Sequence, residues 1–533
     1  MIPLANEKII TPKLHAQFKK SKGIKGDKWI ATFDAVIVGS GAGGGVAAKT
    51  LSEAGWNVLV IEEGSYFTPS HFNDDEFLSH ARLYRDAGFI VSEEQTISIL
   101  QGRTLGGSTT VNWQTSLYPP KYVTDEWRKR FGWLETSEET MKPFVSAVRE
   151  RLGVHDVPEN LINENNKVIQ RGAKDLGLHP EVLPNSNRGC IGLGRCGLGC
   201  PINAKQSVFL TWIPDAINAG ATVFANFRVE RIFDGKLKKI LAKFTPDPYE
   251  KAPQEVIETL EINAKVVIIS AGAIEGPALL LRSNLGNDWV GRNLKVHPTA
   301  AIFGKFDQEI KMFQGPPQSI VVKDGHNIDN SGYGYWLEAA PYRPTIFSSL
   351  VPFYGKTQFE VVRDFKNYNA GIVLVRDGAD GETNGRVEWS WNKRKVHFQL
   401  TPLDGKHMLM GLKTLAQIIG KAGASDLVLP FPRLDKPFEI QKNEDFSWIL
   451  QESIEPGHLT IGSAHPHGSI QSAGTPELGA IDPYFELYGH KNIFVLDASV
   501  FPTGLSVNPQ ITTMSVSLRA ATRLSEQKQE RLG

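Results

Sequence analysis

Asp34-Ala35-Val36-Ile37-Val38-Gly39-Ser40-Gly41-Ala42-Gly43-Gly44-Gly45 decides how the rest of this chain is read. A short apolar, β-branched run enters a cluster of glycines. It then continues as Val46-Ala47-Ala48-Lys49-Thr50-Leu51-Ser52-Glu53-Ala54, a helical pattern that stops at Gly55, a residue suited to a left-handed cap. A second apolar run, Val58-Leu59-Val60-Ile61, ends in Glu62-Glu63-Gly64. The unit is strand, turn, helix, strand, with Gly39-x-Gly41-x-x-Gly44 at the turn and a carboxylate at the end of the second strand. Glycine permits the tight turn and lets the backbone approach a pyrophosphate at a helix N-terminus. Glu62 is placed to accept hydrogen bonds from ribose hydroxyls. A carboxylate there disfavours a 2′-phosphate, so FAD or NAD is expected rather than NADP.

Working outward, 533 residues correspond to several domain-sized units, at one per roughly 150 residues. Lys plus Arg and Asp plus Glu both number 58, so no basic excess exists to neutralise a phosphate backbone, and nucleic acid is not expected as a partner. Apolar runs fall short of the about 18 residues a membrane span needs. Met1 to Trp29 carries lysines without the apolar core of a secretory signal, which reads as cytoplasmic. The three cysteines, Cys190, Cys196 and Cys200, lie within eleven residues, unlike a disulfide framework.

The middle of the chain is β-rich. Arg386 to Trp391 and Lys395 to Leu400 alternate about a polar turn at 392–394 and predict a hairpin. Further strands are expected at Ser319 to Val322, Tyr333 to Leu337 and Ala370 to Val375. Met408, Leu409, Leu412, Leu415, Ala416 and Ile419 mark a core-facing helix. Val266 to Ser270 and Ile493 to Leu496 read as buried strands of a parallel sheet, so pieces of the nucleotide domain return late in the chain. Pro509, favoured at a helix start, predicts a helix over Gln510 to Leu524.

Four more motifs follow in order: Gly102-Arg103-Thr104-Leu105-Gly106-Gly107-Ser108-Thr109-Thr110-Val111-Asn112, Ser463-Ala464-His465-Pro466-His467-Gly468, Leu496-Asp497-Ala498-Ser499 and Asn508-Pro509-Gln510-Ile511-Thr512. With the opening turn, this set resembles the glucose-methanol-choline (GMC) family of FAD-dependent alcohol oxidases and dehydrogenases over residues 33–524. The resemblance implies an α/β fold in which a Rossmann-like FAD-binding domain (31–118, 207–298 and 456–533) is interleaved with an α+β, antiparallel-sheet substrate domain (119–185 and 299–455). An N-terminal extension (1–30) and a cysteine loop (186–206) complete the chain. It also implies that Gly39, Gly41, Gly44, Glu62, Gly102, Arg103, Gly106, Gly107, Ser108, Asn112, Val229, Asp497, Ala498 and Pro509 hold the cofactor. Gln101 and Val111 stand where some members carry a flavin-linking histidine, so non-covalent FAD is expected. The 270–286 segment resembles a second family signature, from which Gly276 and Asn284 depart. His297 is read as structural, and His458 and His467 lie off the catalytic motif position.

Alcohol oxidation moves a hydride to flavin N5 while a hydroxyl proton leaves, and a free hydroxyl is too weak an acid to ionise unaided near neutrality. A base and a donor at the oxygen are needed. A neutral imidazole suits the first role and an amide the second, so the resemblance assigns His465 as general base and Asn508 as hydrogen-bond partner.

Cys190-x5-Cys196-x3-Cys200-Pro201 leaves three readings open: a 3Fe-4S cluster, bare thiols, or zinc with a fourth ligand. Its spacing resembles the loop of bacterial FAD-dependent glucose dehydrogenases, and Ala204-Lys205-Gln206-Ser207 is similar to long-chain alcohol and sterol oxidases. The expected activity is oxidation of a small-molecule alcohol, with electrons passed to an acceptor protein or a quinone. An oxygen-using alcohol or sterol oxidase, a non-redox lyase on the same FAD fold and a non-catalytic flavoprotein are the alternatives. Long-chain, aromatic or sterol-like alcohols come before sugars, on the strength of Trp336, Phe347, Phe353, Tyr354 and Phe359 as candidate pocket residues.

Overall fold

Strand Lys28–Val38, helix Ala42–Glu53 and strand Val58–Ile61 form the expected strand-helix-strand unit at the centre of an eight-stranded sheet, in a computed structural model that describes residues 8–251, 253, 255–381 and 385–533. Val36, Ile37, Leu59 and Val60 are fully buried, as parallel strands covered on both faces require. Thr259–Ile269 lies parallel to Lys28–Val38 on one side, and Val58–Ile61 on the other. The late strand Ile493–Val495 pairs in parallel with Val267 to Ile269, so the chain does return to the nucleotide sheet near its C-terminus. Only the end of Thr259–Ile269 reads as continuously apolar. Its first half alternates, because there it pairs antiparallel with Lys238–Phe244. Ile9–Ile10, within the N-terminal stretch, adds an edge strand by pairing with Val223 and Phe224.

The second sheet has ten strands and sits mostly in 299–463. Thr299–Lys305 shows why its strands are apolar. Ala300 and Ile302 enter one core cluster while Ala301 and Phe303 enter another, so both faces are covered. Helix Pro402–Lys421 packs on the first face through Met408, Leu412, Leu415 and Ile419. Phe347, from helix Pro344–Leu350, is buried on the other face with Tyr368. The expected strands form as Ile320–Val322, Tyr335–Ala339 and Tyr368–Val375.

The hairpin forms as Gly385–Ser390 and Lys393–Phe398, with the turn one to two residues earlier than expected. Trp391 and Asn392 both adopt positive φ, 52° and 55°, the two-residue geometry that matches strand twist. Lys393 and Arg394 are therefore strand residues, and the indole of Trp391 points to solvent.

Helix Gln510–Glu526 begins directly after Pro509 and packs against Ala42–Glu53 and Glu138–Arg151. Ser517, midway along it, lies against Gly43 of the glycine turn. Among the described residues no helix is long and apolar enough to cross a membrane.

Candidate active site

The two sheets enclose a cavity of about 410 Å³ that reaches from the first glycine turn, past the second, to the loops bearing His465 and Asn508. Gly39, Gly41, Glu62, Gly102, Arg103, Gly107, Ser108, Asn112, Val229, Asp497, Ala498 and Pro509 line it, with His465 and Asn508 at the end nearest the substrate sheet. Gly44 and Gly106 stand behind its wall.

The glycines divide their work. A Cβ on Gly44 would lie 2.0 Å from the Gly39 carbonyl, so this residue lets the helix press onto its own turn. A Cβ on Gly41 would meet nothing within 4 Å and would project into the cavity, the place a pyrophosphate needs. Gly39, at φ 96°, makes the turn itself.

Glu62 is buried at the end of its strand. One carboxylate oxygen accepts from the Ser40 amide at 2.9 Å and the Ser40 hydroxyl at 2.7 Å, and the other accepts from the Gly64 amide at 2.8 Å. Burial raises its pKa, and these three donors oppose the rise. Ser40 also accepts from the Gly106 amide at 2.9 Å, so one side chain ties both glycine turns together. Sequence reasoning missed Ser40, since a serine between glycines carries no signal of its own. Asp497 does similar work later in the chain: it accepts from the Gly272 amide at 2.7 Å and from the Ser499 amide at 2.8 Å, joining the second strand-helix turn to the C-terminal segment. The Val229 carbonyl accepts from Arg282 Nη2 at 2.6 Å. The Asn112 amide donates to Gln510, locking the second glycine segment onto the start of the C-terminal helix.

These residues fit a non-covalently held FAD. The cavity is long, its turns present a bare glycine and a helix N-terminus, and Arg103 Nε, Gln101 Oε1 and Asn508 Oδ1 are buried without a protein partner. Gln101 and Val111 line the cavity where a covalent link would need histidine.

Asn508 Nδ2 lies 3.3 Å from His465 Nε2. The loop holding His465 is fixed by Ser463, whose hydroxyl oxygen accepts from the His465 amide at 3.0 Å, and by His467, whose Nδ1 bonds to the His465 carbonyl at 2.7 Å. Removal from water, reinforced by the neighbouring His467, lowers the pKa of His465 to about 3, so its ring is neutral. Asn508 precedes Pro509 and the N-terminus of the long C-terminal helix, whose positive end faces the same space.

Of the aromatic residues expected around a pocket, none lines this cavity. Phe347 and Phe353 are core, Trp336 is buried in the substrate sheet, and Tyr354 and Phe359 are 87% and 66% exposed. The apolar wall is instead Ala301, Tyr342, Ile346, Leu350, Ile372 and Leu374. The last turn of this wall is helix Pro344–Leu350, pinned by Glu76, which accepts from the amides of Thr345 and Ile346 at 2.8 and 3.2 Å.

The cysteine loop borders the cavity through Gly194, Gly197 and Leu198. Cys196 is buried, accepts from Gln114 Nε2 at 2.9 Å, and has its thiol pushed up to about 11 by burial. Buried Lys205 donates to the carbonyls of Thr110 and Cys196, each at 2.6 Å, stitching the loop to the second glycine segment; burial brings its pKa down to about 8. The three thiols influence one another's ionisation, and the metal-ligating groups that cluster among the described residues are His297, Asp377 and His467 rather than these cysteines.

Fold and site together define a flavin-dependent oxidoreductase of alcohols. Residues 80–299 and 382–517 match the N- and C-terminal domain models of the GMC oxidoreductases, and residues 34–72 match an FAD binding domain. The chain belongs to the GMC oxidoreductase family and is an FAD-dependent CH–OH oxidoreductase. It is 31% identical over 493 residues to a GMC-type oxidoreductase of Mycobacterium tuberculosis, covering 92% of this chain and 75% of the relative. It is 29% identical over 527 residues to a long-chain-alcohol oxidase of Arabidopsis thaliana, covering 93% and 67%. The solved formate oxidase of Aspergillus oryzae shares the fold with a TM-score of 0.69 at 15% identity, over 96% of this chain and 100% of that one.

Proposed function

We propose that this protein oxidises the CH–OH group of an apolar alcohol, with His465 as general base and Asn508 as the donor to the reacting oxygen. The observation that carries the reading is the 3.3 Å approach of Asn508 Nδ2 to His465 Nε2 at the wall of the cavity that also holds both glycine turns. Bound FAD supplies the hydride acceptor, N5 of its ring. A neutral His465 offers a lone pair at Nε2 to the hydroxyl proton, and the Asn508 amide donates to the oxygen as charge builds there. The positive end of helix Gln510–Glu526 favours negative charge at the same place by roughly 0.3–1 kcal/mol. The wall from Ala301 to Leu374 suits an alkyl chain better than a sugar, as does the likeness to a long-chain-alcohol oxidase.

For the electron acceptor, the three thiols support a 3Fe-4S cluster held by Cys190, Cys196 and Cys200, and with it a dehydrogenase serving a protein or quinone. Such a cluster supplies a one-electron outlet. The oxidase named among the relatives favours oxygen as the alternative.

Anaerobic addition of a long-chain primary alcohol to the FAD-loaded protein tests the reading. Bleaching of the visible flavin band, lost in His465→Ala, is expected; equal bleaching in that variant overturns the base assignment, and no bleaching by any alcohol overturns the function. EPR of the oxidised protein and the rate of reoxidation in air separate the two acceptors.

A further inference from the structure

His297 belongs to no step of the proposed chemistry, yet both catalytic loops converge on it. It sits at φ 47° in the turn between strands Arg292–Lys295 and Thr299–Lys305, a left-handed conformation uncommon outside glycine. Asp377 holds the turn there, its carboxylate accepting from the amides of Val296 and His297 at 2.9 and 3.2 Å. So held, the turn has two arms. One runs to Asn508: His297 Nε2 accepts from the Leu505 amide at 3.1 Å, three residues before the catalytic amide. The other runs to His465: the Val296 carbonyl accepts from the Ser463 hydroxyl, whose oxygen in turn accepts from the His465 amide. The His297 ring also meets the His465 ring edge-on, with centroids 5.5 Å apart at 89°, and the His467 ring at 4.8 Å.

We infer that His297, clamped by Asp377, is a positioning residue that sets the separation of His465 and Asn508. The inference rests on the proposed roles of those two residues. His465 and Asn508 come from loops 43 residues apart in sequence, and the backbone bonds that link their segments, from the Ile470 and Ser472 amides to the Ser499 and Val500 carbonyls, lie five or more residues from either residue. The 296–297 turn supplies the common reference. A misplacement of about 1 Å between reacting groups costs on the order of 10²-fold in rate, which sets the scale of the effect. The competing reading, a metal bound by His297, Asp377 and His467, is disfavoured by their surroundings. The His297 Nε2 lone pair is already engaged by Leu505, and Lys295 and Arg376 bring positive charge beside His467.

The test uses FAD-loaded protein and three variants. His297→Phe keeps a buried ring but removes the acceptor; His297→Gln keeps an acceptor for the Leu505 amide; Ser463→Ala cuts the other arm. Anaerobic flavin reduction by the alcohol should fall about 100-fold in His297→Phe with KM changed less than about threefold, and His297→Gln should recover at least about tenfold of the loss. Crystal structures give a readout independent of turnover. The His465–Asn508 separation should depart from the parent value by more than about 0.5 Å in His297→Phe, and remain within it in His297→Gln. Ser463→Ala should move His465 and leave Asn508 in place. Unchanged separation in flavin-loaded His297→Phe, or equal loss in the Phe and Gln variants, overturns the inference. Should the parent itself fail to bleach with any alcohol, the functional reading falls, and the crystal structures still decide whether His297 sets the distance. If His297→Phe does not fold, the Gln and Ser463→Ala structures carry the same decision.

Discussion

The turn at 39–45 and the pair formed by His465 and Asn508 share one cavity but are specified in opposite ways. The turn is closed first by local contacts, with Gly44 on Gly39, five residues away, and Glu62 on Ser40 within the same strand-helix-strand unit, and the distant Ser270 and Leu496 backbones press on its outer side. The proposed catalytic pair is made by everything else. Its loops are tied to a turn at 296–297 across 167 and 208 residues of sequence. A site built locally fails by steric clash and takes its domain with it. A site built by long-range contacts can fail alone, leaving fold and cofactor in place.

The sharpest attack on this contrast is Gly44→Ala. A methyl group 2.0 Å from a backbone oxygen has no flexible neighbour to displace, so the helix must lift from its turn. Destabilisation at or above about 3 kcal/mol and loss of bound FAD are expected, read by thermal unfolding and by flavin content after gel filtration. A Gly44→Ala protein with parental stability and full FAD would break the local half of the comparison. The next largest effect belongs to the other region. His465→Ala should lower the rate of flavin reduction by about 10²- to 10⁴-fold while unfolding temperature and flavin content stay parental, and Asn508→Ala by about 10²- to 10³-fold. A fall in FAD content parallel to the rate would mean the pair is not separable from the cofactor site.

Gly41→Ala sharpens the contrast within a single motif. Its Cβ meets nothing and its backbone is not in the left-handed region, so the apoprotein should unfold as the parent does, while FAD affinity falls about tenfold, or ~1.4 kcal/mol, from crowding of the phosphates. Fluorescence titration of apoprotein with FAD measures it. Equal damage in Gly41→Ala and Gly44→Ala would show that the two glycines do not divide their work.

The same division explains what the sequence makes legible. The nucleotide unit was legible because its determinants are contiguous: an apolar strand, glycines at fixed spacing and a carboxylate at the end of the next strand. His465 and Asn508 were legible through motif resemblance alone, since nothing in the composition of either loop sets them 3.3 Å apart. Ser40 and the 296–297 turn were not legible, because their roles arise only when distant amides, those of Gly106 and Leu505, are brought to them. The five aromatic residues first associated with the pocket failed for a related reason. Aromatic content does not separate a core from a cavity wall, and the wall is largely aliphatic. The turn of the 385–398 hairpin slipped because both of its central residues take left-handed backbone, which a tryptophan rarely signals.

The smallest effect concerns pH, and it too separates the regions. His465 and His467 are each lowered to about 3, and His297 lies well below its ordinary 6.5: burial opposes protonation of all three, and His467 adds to it at His465, Lys295 and Arg376 at His467, and the other two histidines and Arg376 at His297. The neutral base should therefore keep the flavin-reduction rate constant as pH falls from 8 to about 5.5, where a solvent-exposed histidine would lose most of its activity. Stability behaves otherwise. Below about 6.5 the unfolded chain gains a proton at His465 that the folded chain refuses, so this contribution to stability is complete above 6.5 and is lost progressively as pH falls toward 3. Buried carboxyls such as Glu62 and Asp377 have raised pKa values and act in the opposite sense, so the parent alone cannot isolate the effect. The difference between parent and His465→Gln can, because every other group cancels. The variant should gain about 1 kcal/mol on the parent between pH 7.5 and 5.5 in denaturant titrations. A constant difference across that range would mean that the folded protein binds the proton as readily as the unfolded one, and that His465 is open to water rather than held neutral by the contacts that position it.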